Sequence, residues 1–67
     1  LSTEEMLAKA LSRIPSQLAR IVKLHFLEDR PQQEVAEIEG LSLSAVKTRI
    51  HRAKKALKKL GEDHLLA

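Results

Sequence analysis

The chain has 67 residues, a formal net charge of +3 at pH 7 and no cysteine. A chain of this length forms at most one domain and buries only about 60% of its unfolded surface. The lack of cysteine excludes disulfides and thiolate metal sites, and the lack of a long apolar run excludes a membrane-spanning segment. We therefore expect one soluble, cytoplasmic domain over residues 1–67. Because the chain begins with Leu1, we also expect it to be a fragment of a longer protein.

The predicted elements are all helical. A serine and a threonine followed by Glu4 and Glu5 are typical of a helix N-terminus. Pro15 ends the first apolar repeat, because the residue before a proline is pushed out of the helical region. Pro31 is suited to the start of a third, short helix. Together with apolar spacings of three and four residues, these signals predict an all-α domain of four helices, over residues 3–13, 17–28, 32–39 and 43–60.

The last predicted helix carries one narrow apolar stripe. Ser42 is suited to its N-cap and Gly61 to its C-terminal end. We expect Val35 and Ile38 of the third helix to face the same core as this stripe. The stripe consists of Leu43, Val46, Ile50, Ala53, Leu57 and Leu60. Residues 62–67 are expected to be a frayed or partner-docked end.

Positive charge is concentrated in this last helix. Residues 1–46 carry five Lys or Arg against seven Asp or Glu (net −2), whereas residues 47–67 carry seven against two (net +5). A short helix, a glycine-containing turn and a longer basic helix predict a helix-turn-helix with an anionic partner. Phe26 is the only aromatic residue, so the stacking platforms that hold single-stranded nucleic acid are missing. Duplex DNA is therefore the predicted ligand.

The string VKTRIHRAKKAL follows a Gly-Leu-Ser turn. It parallels the pattern V-K-[ST]-R-[LI]-H-R-A-[RK]-x-A-L, and the segment from Arg13 to Leu57 resembles region 4 of bacterial sigma factors, of the sigma-70 family and the extracytoplasmic-function group. The resemblance implies a promoter-recognition domain that binds the minus-35 element of double-stranded DNA. It also implies docking on the β flap of core RNA polymerase, for which an anti-sigma factor competes. Arg30, Glu39 and Ala45 depart from the commonest pattern.

The exposed side of the first turns of the last helix supplies the candidate base-reading residues, since such a helix presents its N-terminal half to base edges. They are Ser44, Lys47, Thr48, His51 and Arg52. The resemblance places all of them except Ser44 at base-facing positions. The candidate phosphate contacts are Arg30, Gln32, Gln33 and Arg49. Most of the four lysines after residue 53 are interpreted as a solvated basic face, and Glu39 is expected to point to solvent.

An interaction module that binds an anti-sigma factor or polymerase without reading DNA is the alternative function. The candidate docking residues are apolar side chains in excess of what so small a core is expected to cover. They are Ile21, Leu24, Phe26, Leu27 and Leu65. A basic helix could also bind a calmodulin-like protein or a membrane surface, but the preceding helices are expected to cover its apolar face.

No enzyme is predicted, because no nucleophile, base and orienting group can be assembled at plausible spacing. The three histidines are too widely separated for metal-ligand spacing, so no metal or other cofactor is expected. We also expect no membrane partner and no small-molecule substrate.

Overall fold

The computed structural model describes residues 1–66, and all regular structure in that part of the chain is helical. Its α-helices are α1 (Thr3–Leu11), α2 (Ser16–Val22), α3 (Gln32–Glu39) and α4 (Leu43–Lys59). α2 continues into a π-helical turn at Lys23–Leu27, and a 3₁₀ turn at Asp63–Leu66, here called the C-terminal turn, follows α4. This architecture confirms the predicted all-α fold. The bounds of α3 are as predicted, and α4 ends one residue earlier than predicted.

The ends of α1 are closed by serine side chains. The Glu5 amide donates to Ser2 Oγ at 3.1 Å, and the Ser2 amide donates to Glu5 Oε1 at 3.3 Å. This reciprocal capping box satisfies two backbone donors that a helix N-terminus otherwise leaves free. At the other end the Ser12 hydroxyl donates to the Lys9 carbonyl at 2.6 Å. α1 therefore ends at Leu11, two residues earlier than predicted.

The segment after α2 does not continue as the predicted α-helix. The Glu28 amide donates to the Lys23 carbonyl at 3.0 Å, five residues back, which widens the turn. The Phe26 side chain packs against both clusters of the core from this wide turn. The segment ends at Asp29, whose φ of 54° is left-handed, a conformation that Asp tolerates better than most residues.

His25 secures the same turn. Its Nδ1–H donates to the Arg30 carbonyl at 2.8 Å. A carbonyl can only accept, so this bond places a proton on Nδ1. The ring also meets Phe26 edge-on, with centroids 4.8 Å apart. The histidine thus has a structural role between the π-helical turn and α3.

The core consists of two clusters that share α2 and α4. The first lies among α1, α2, α4 and the C-terminal turn and contains Leu7, Ala10, Leu11, Ile14, Val22, Ala53, Leu57 and Leu65. The second lies among α2, α3 and α4 and contains Ile21, Val35, Ala36, Val46 and Ile50. The first half of α4 is therefore anchored by α2 and α3, and the second half by α1, α2 and the C-terminal turn. All residues of the two clusters belong to this one chain.

The inner face of α3 differs from the predicted one. Ile38 was expected to face the core, but it is 49% exposed. The buried residues are Val35 and Ala36, and the position one helical turn after both of them is Glu39 rather than Ile38. The Glu39 side chain is accordingly only 14% exposed, and the expectation that it points to solvent was wrong.

Two end positions also differ from the predictions. Leu43 of the apolar stripe is 41% exposed, because it is the first residue of α4 and no element covers it there. Leu65 is 8% exposed, since the C-terminal turn packs it into the first cluster. The end of the chain up to Leu66 is thus part of the fold and not a frayed segment.

Candidate nucleic-acid interface

A tight turn of three residues joins α3 to α4. Gly40 has a φ of 65°, a left-handed conformation that glycine adopts without steric cost. The Leu41 amide donates to the Ala36 carbonyl at 2.9 Å, which closes the end of α3. Ser42 Oγ then accepts from the Ala45 amide at 3.0 Å and caps α4. Two helices joined by so short a turn form the predicted helix-turn-helix.

α4 divides into an inner and an outer side. Its buried residues are Val46, Ile50, Ala53 and Leu57, which recur every three or four positions along one face. The helix has 17 residues and is about 26 Å long at about 1.5 Å per residue. The opposite side lies free of the other helices and carries most of the basic residues. α4 can therefore pack on the core and face a ligand at the same time.

All five side chains predicted to read bases are exposed on this outer side: Ser44, Lys47, Thr48, His51 and Arg52. They lie within the first ten residues of α4, directly after the capped turn. The helix brings them together on one surface, as the spacing predicted. None is used in the core.

The positive charges of α4 have no carboxylate partner in the part of the chain that the structure describes. The ion pairs there involve Arg20, Arg30 and His64, and none involves a lysine or arginine of α4. No acidic residue lies between Gly40 and Gly61. Seven cations on one helix, without an ion pair among residues 1–66, attract an anionic ligand of extended shape, such as a nucleic-acid backbone.

Arg30 does not present a free guanidinium. Its Nε donates to Glu28 Oε1 at 3.1 Å, and its Nη1 donates to Glu34. The hydrogen bonds that Arg30 donates to Glu28 and then to Glu34 raise the pKa of Arg30 above its usual value. The two carboxylates also offset its charge, so the predicted phosphate contact by Arg30 is not supported. The sequence-based prediction overlooked these two partners.

The other predicted phosphate contacts lie where an anion could reach them. Gln32 and Gln33 form the first turn of α3, whose N-terminus has no side-chain cap. Their backbone amides are therefore among the donors that a helix N-terminus leaves free. Gln33 is exposed, and Gln32 and Arg49 are half-buried.

The predicted docking residues do not form one exposed surface. Ile21 is completely buried in the second cluster and Leu65 is buried in the first, so neither is available to a partner. Leu24, Phe26 and Leu27 are half-buried. Leu27 borders an open groove of about 430 Å³ between α1 and α2, whose apolar lining also includes Leu11, Ile14 and Ala19.

Comparison with known proteins identifies the family. A family model described as Sigma-70, region 4 matches residues 4–57, which is most of the chain. The chain belongs to the sigma-70 region 4 family. It is also 40% identical over 52 residues to the RNA polymerase sigma factor SigV of Bacillus subtilis (strain 168). The match covers 78% of this chain and 31% of that relative, so the region 4 domain spans about a third of the relative's length. No solved structure matches the chain.

Region 4 of a sigma factor is a non-enzymatic domain of transcription regulation, and this family agrees with the helix-turn-helix geometry. In the described residues 1–66, no group of three or more His, Cys, Asp or Glu side chains is placed to hold a metal ion. Nor does that part of the chain contain a helix with the length and apolar character needed to span a bilayer.

One contact that positions the region 4 interface was missed from the sequence. Arg20 Nε of α2 donates to Glu39 Oε1 of α3 at 3.0 Å. The pair links α2 to the last residue of α3, directly before the turn into α4. The two residues are 19 positions apart, so no helical spacing relates them. The only sequence signal was the acidic residue at a position where the family often has an apolar one.

Proposed function

We propose that this domain recognises the minus-35 element of promoter DNA as part of a sigma factor. The first half of α4 enters the major groove, and the N-terminus of α3 lies against the phosphate backbone. The observation that carries the proposal is the set of five exposed side chains on the outer side of a capped helix whose cations have no carboxylate partner among the described residues. The family supports the same role.

The side chains differ in what they can read. Arg52 has a planar fork of donors that matches guanine O6 and N7, and Lys47 can reach the same acceptors as a point charge. Ser44 and Thr48 have hydroxyls that can donate or accept, and the Thr48 methyl group can contact a thymine methyl. His51 can donate to a base acceptor or to a phosphate. Together these groups can distinguish base pairs in the major groove.

The second part of the proposal is docking on the β flap of core RNA polymerase. The groove between α1 and α2 has an apolar lining and lies apart from α4, so both partners can bind together. An anti-sigma factor would compete for the same groove. The alternative function, an interaction module that does not read DNA, is supported by this groove alone. It does not explain why the five candidate base-reading side chains are exposed together on α4.

The test is a fluorescence-anisotropy titration of the 67-residue chain with a panel of duplexes derived from minus-35 elements and with a scrambled duplex of equal length. We expect tighter binding to one minus-35 sequence than to the scrambled duplex. With about four to six phosphates neutralised, the slope of log K against log salt should be about −4 to −5. Equal affinity for every duplex would contradict the proposal.

Arg30 and Arg49 provide a matched pair for the phosphate contacts. Arg49→Gln is expected to reduce the magnitude of the salt slope by about 0.9, because one phosphate contact is lost. Arg30→Gln should leave the slope unchanged, since Glu28 and Glu34 already hold this guanidinium. The same anisotropy titration at several salt concentrations measures both. If Arg30→Gln reduced the slope and Arg49→Gln did not, Arg30 would have to leave Glu28 and Glu34 in order to bind a DNA phosphate.

A further inference from the structure

The outer side of α4 contains a row of side chains that continues past the base-reading residues. The row advances by four, three, four and three positions, which keeps its members on one face of the helix. We call it the outer row, and it consists of Ser44, Thr48, His51, Lys55 and Lys58. All five side chains are exposed. Lys55 and Lys58 therefore point in the same direction as the proposed base-reading residues.

The position of this pair along α4 excludes a role in reading bases. A major groove is about 12 Å wide, and a helix with its side chains is about 10–12 Å in diameter, so one helix fills it. The groove curves around the duplex, whereas α4 is a single uninterrupted helix about 26 Å long. If the first ten residues of α4 lie in the groove, the residues after Arg52 must rise over its edge. The groups found at that edge are the phosphates.

Lys55 and Lys58 are also free to bind an anion. Neither forms an ion pair with any carboxylate in residues 1–66. Both border two open basins, one on each side of the outer row. Asp63 lies at the rim of one basin, of about 340 Å³, but it does not pair with either lysine. Two adjacent ammonium groups thus face solvent with room for a phosphate between or beside them.

We propose that Lys55 and Lys58 form a backbone clamp that holds the DNA phosphates at the edge of the groove. This inference rests on the proposed function, since it requires α4 to lie in the major groove. The clamp contributes affinity and salt dependence and no base preference, because phosphates carry no sequence information. The solvated-face interpretation of these two lysines is thereby replaced by a specific role.

The test compares two double variants that remove the same charge. Lys55→Gln with Lys58→Gln removes the clamp, and Lys9→Gln with Lys23→Gln removes two exposed lysines outside α4, one in α1 and one at the start of the π-helical turn. Gln has nearly the helix propensity of Lys, so both variants should fold. The anisotropy titration is run for each over a range of salt concentrations, with a minus-35 duplex and with the scrambled duplex.

We expect the clamp variant to reduce the magnitude of the salt slope by about 1.8, at about 0.9 for each lost phosphate contact. Its affinity at about 0.1 M salt should fall on the order of tenfold to a hundredfold for both duplexes alike. The control should keep the wild-type slope. Equal slopes for the two variants would overturn the clamp. If the wild type showed no sequence preference, the proposed function would be overturned instead, and the slopes would still decide whether Lys55 and Lys58 contact phosphates.

Discussion

Ile21→Ala is expected to lower the free energy of unfolding by about 2 to 5 kcal/mol, because it opens a cavity in the second cluster. Ile21 is completely buried and packs with Val46 and Ile50 of α4. A domain of this size has a total stability of about 3 to 10 kcal/mol. One substitution could therefore remove half or more of it. Urea unfolding followed by far-UV circular dichroism measures the change.

Ile38→Ala is the matched control, since it removes the same atoms from a side chain that is 49% exposed. Its effect should stay below about 1 kcal/mol. The comparison also decides between the two roles considered for Ile21. If Ile21→Ala unfolded at the same urea concentration as Ile38→Ala, the residue would not be part of the core and its role as a docking residue would return.

Arg52→Ala is expected to weaken binding to the preferred minus-35 duplex by about 1 to 3 kcal/mol and to relax the preference at one base pair. The reason is the loss of two parallel hydrogen bonds to a guanine. Binding to duplexes that already carry another base at that position should change much less. A titration with duplexes mutated one base pair at a time locates the affected position.

Arg13→Ala is a suitable control, because Arg13 is exposed just after α1 and lies outside α4. It removes the same charge and should leave the base preference unchanged. A uniform loss of affinity for every duplex after Arg52→Ala would mean that Arg52 contacts a phosphate. The base-reading role would then pass to the remaining residues of the set.

Much of the fold was predictable because its signals are local. The capping residue Ser42 and the glycines at positions 40 and 61 mark helix ends by their own chemistry, and both glycines have left-handed φ values. The bounds of α3 followed from Pro31 and Gly40. The exposure of the base-reading set followed from the 3.6-residue period once the apolar stripe of α4 was placed inward.

The features that sequence patterns missed depend on contacts between distant residues or on a small change in the direction of a side chain around the helix axis. The π-helical turn inserts one residue into a run that reads as ordinary helix, and Phe26 gains contacts with both clusters there. α3 has only eight residues, so its pattern did not separate Ile38 from Glu39 as the inner position. The partner of Arg20 is 19 positions away and could be identified only from the fold. The partners of Arg30 are close in sequence, but Arg30 lies just before α3, where no helical spacing relates it to Glu28 or Glu34.

The proposed docking surface was the least predictable part of the candidate site. An apolar residue such as Ile21 or Leu27 has the same pattern whether it fills the core or borders a groove. Which of them stays uncovered depends on how closely α1 approaches α2 and on the C-terminal turn, which buries Leu65. The side of α4 proposed to read bases is polar and must face solvent, so it carried a clearer signal.

Because the core is divided into two clusters, one part of the domain can be exchanged for the corresponding part of another family member. The segment up to Ile14 contributes only to the first cluster, which contains the second half of α4. Val46 and Ile50, in the first half of α4, pack against α2 and α3 in the second cluster. An α1 taken from another family member could thus be exchanged to change the thermal stability of the domain, while the packing of the first half of α4 on α2 and α3 is retained.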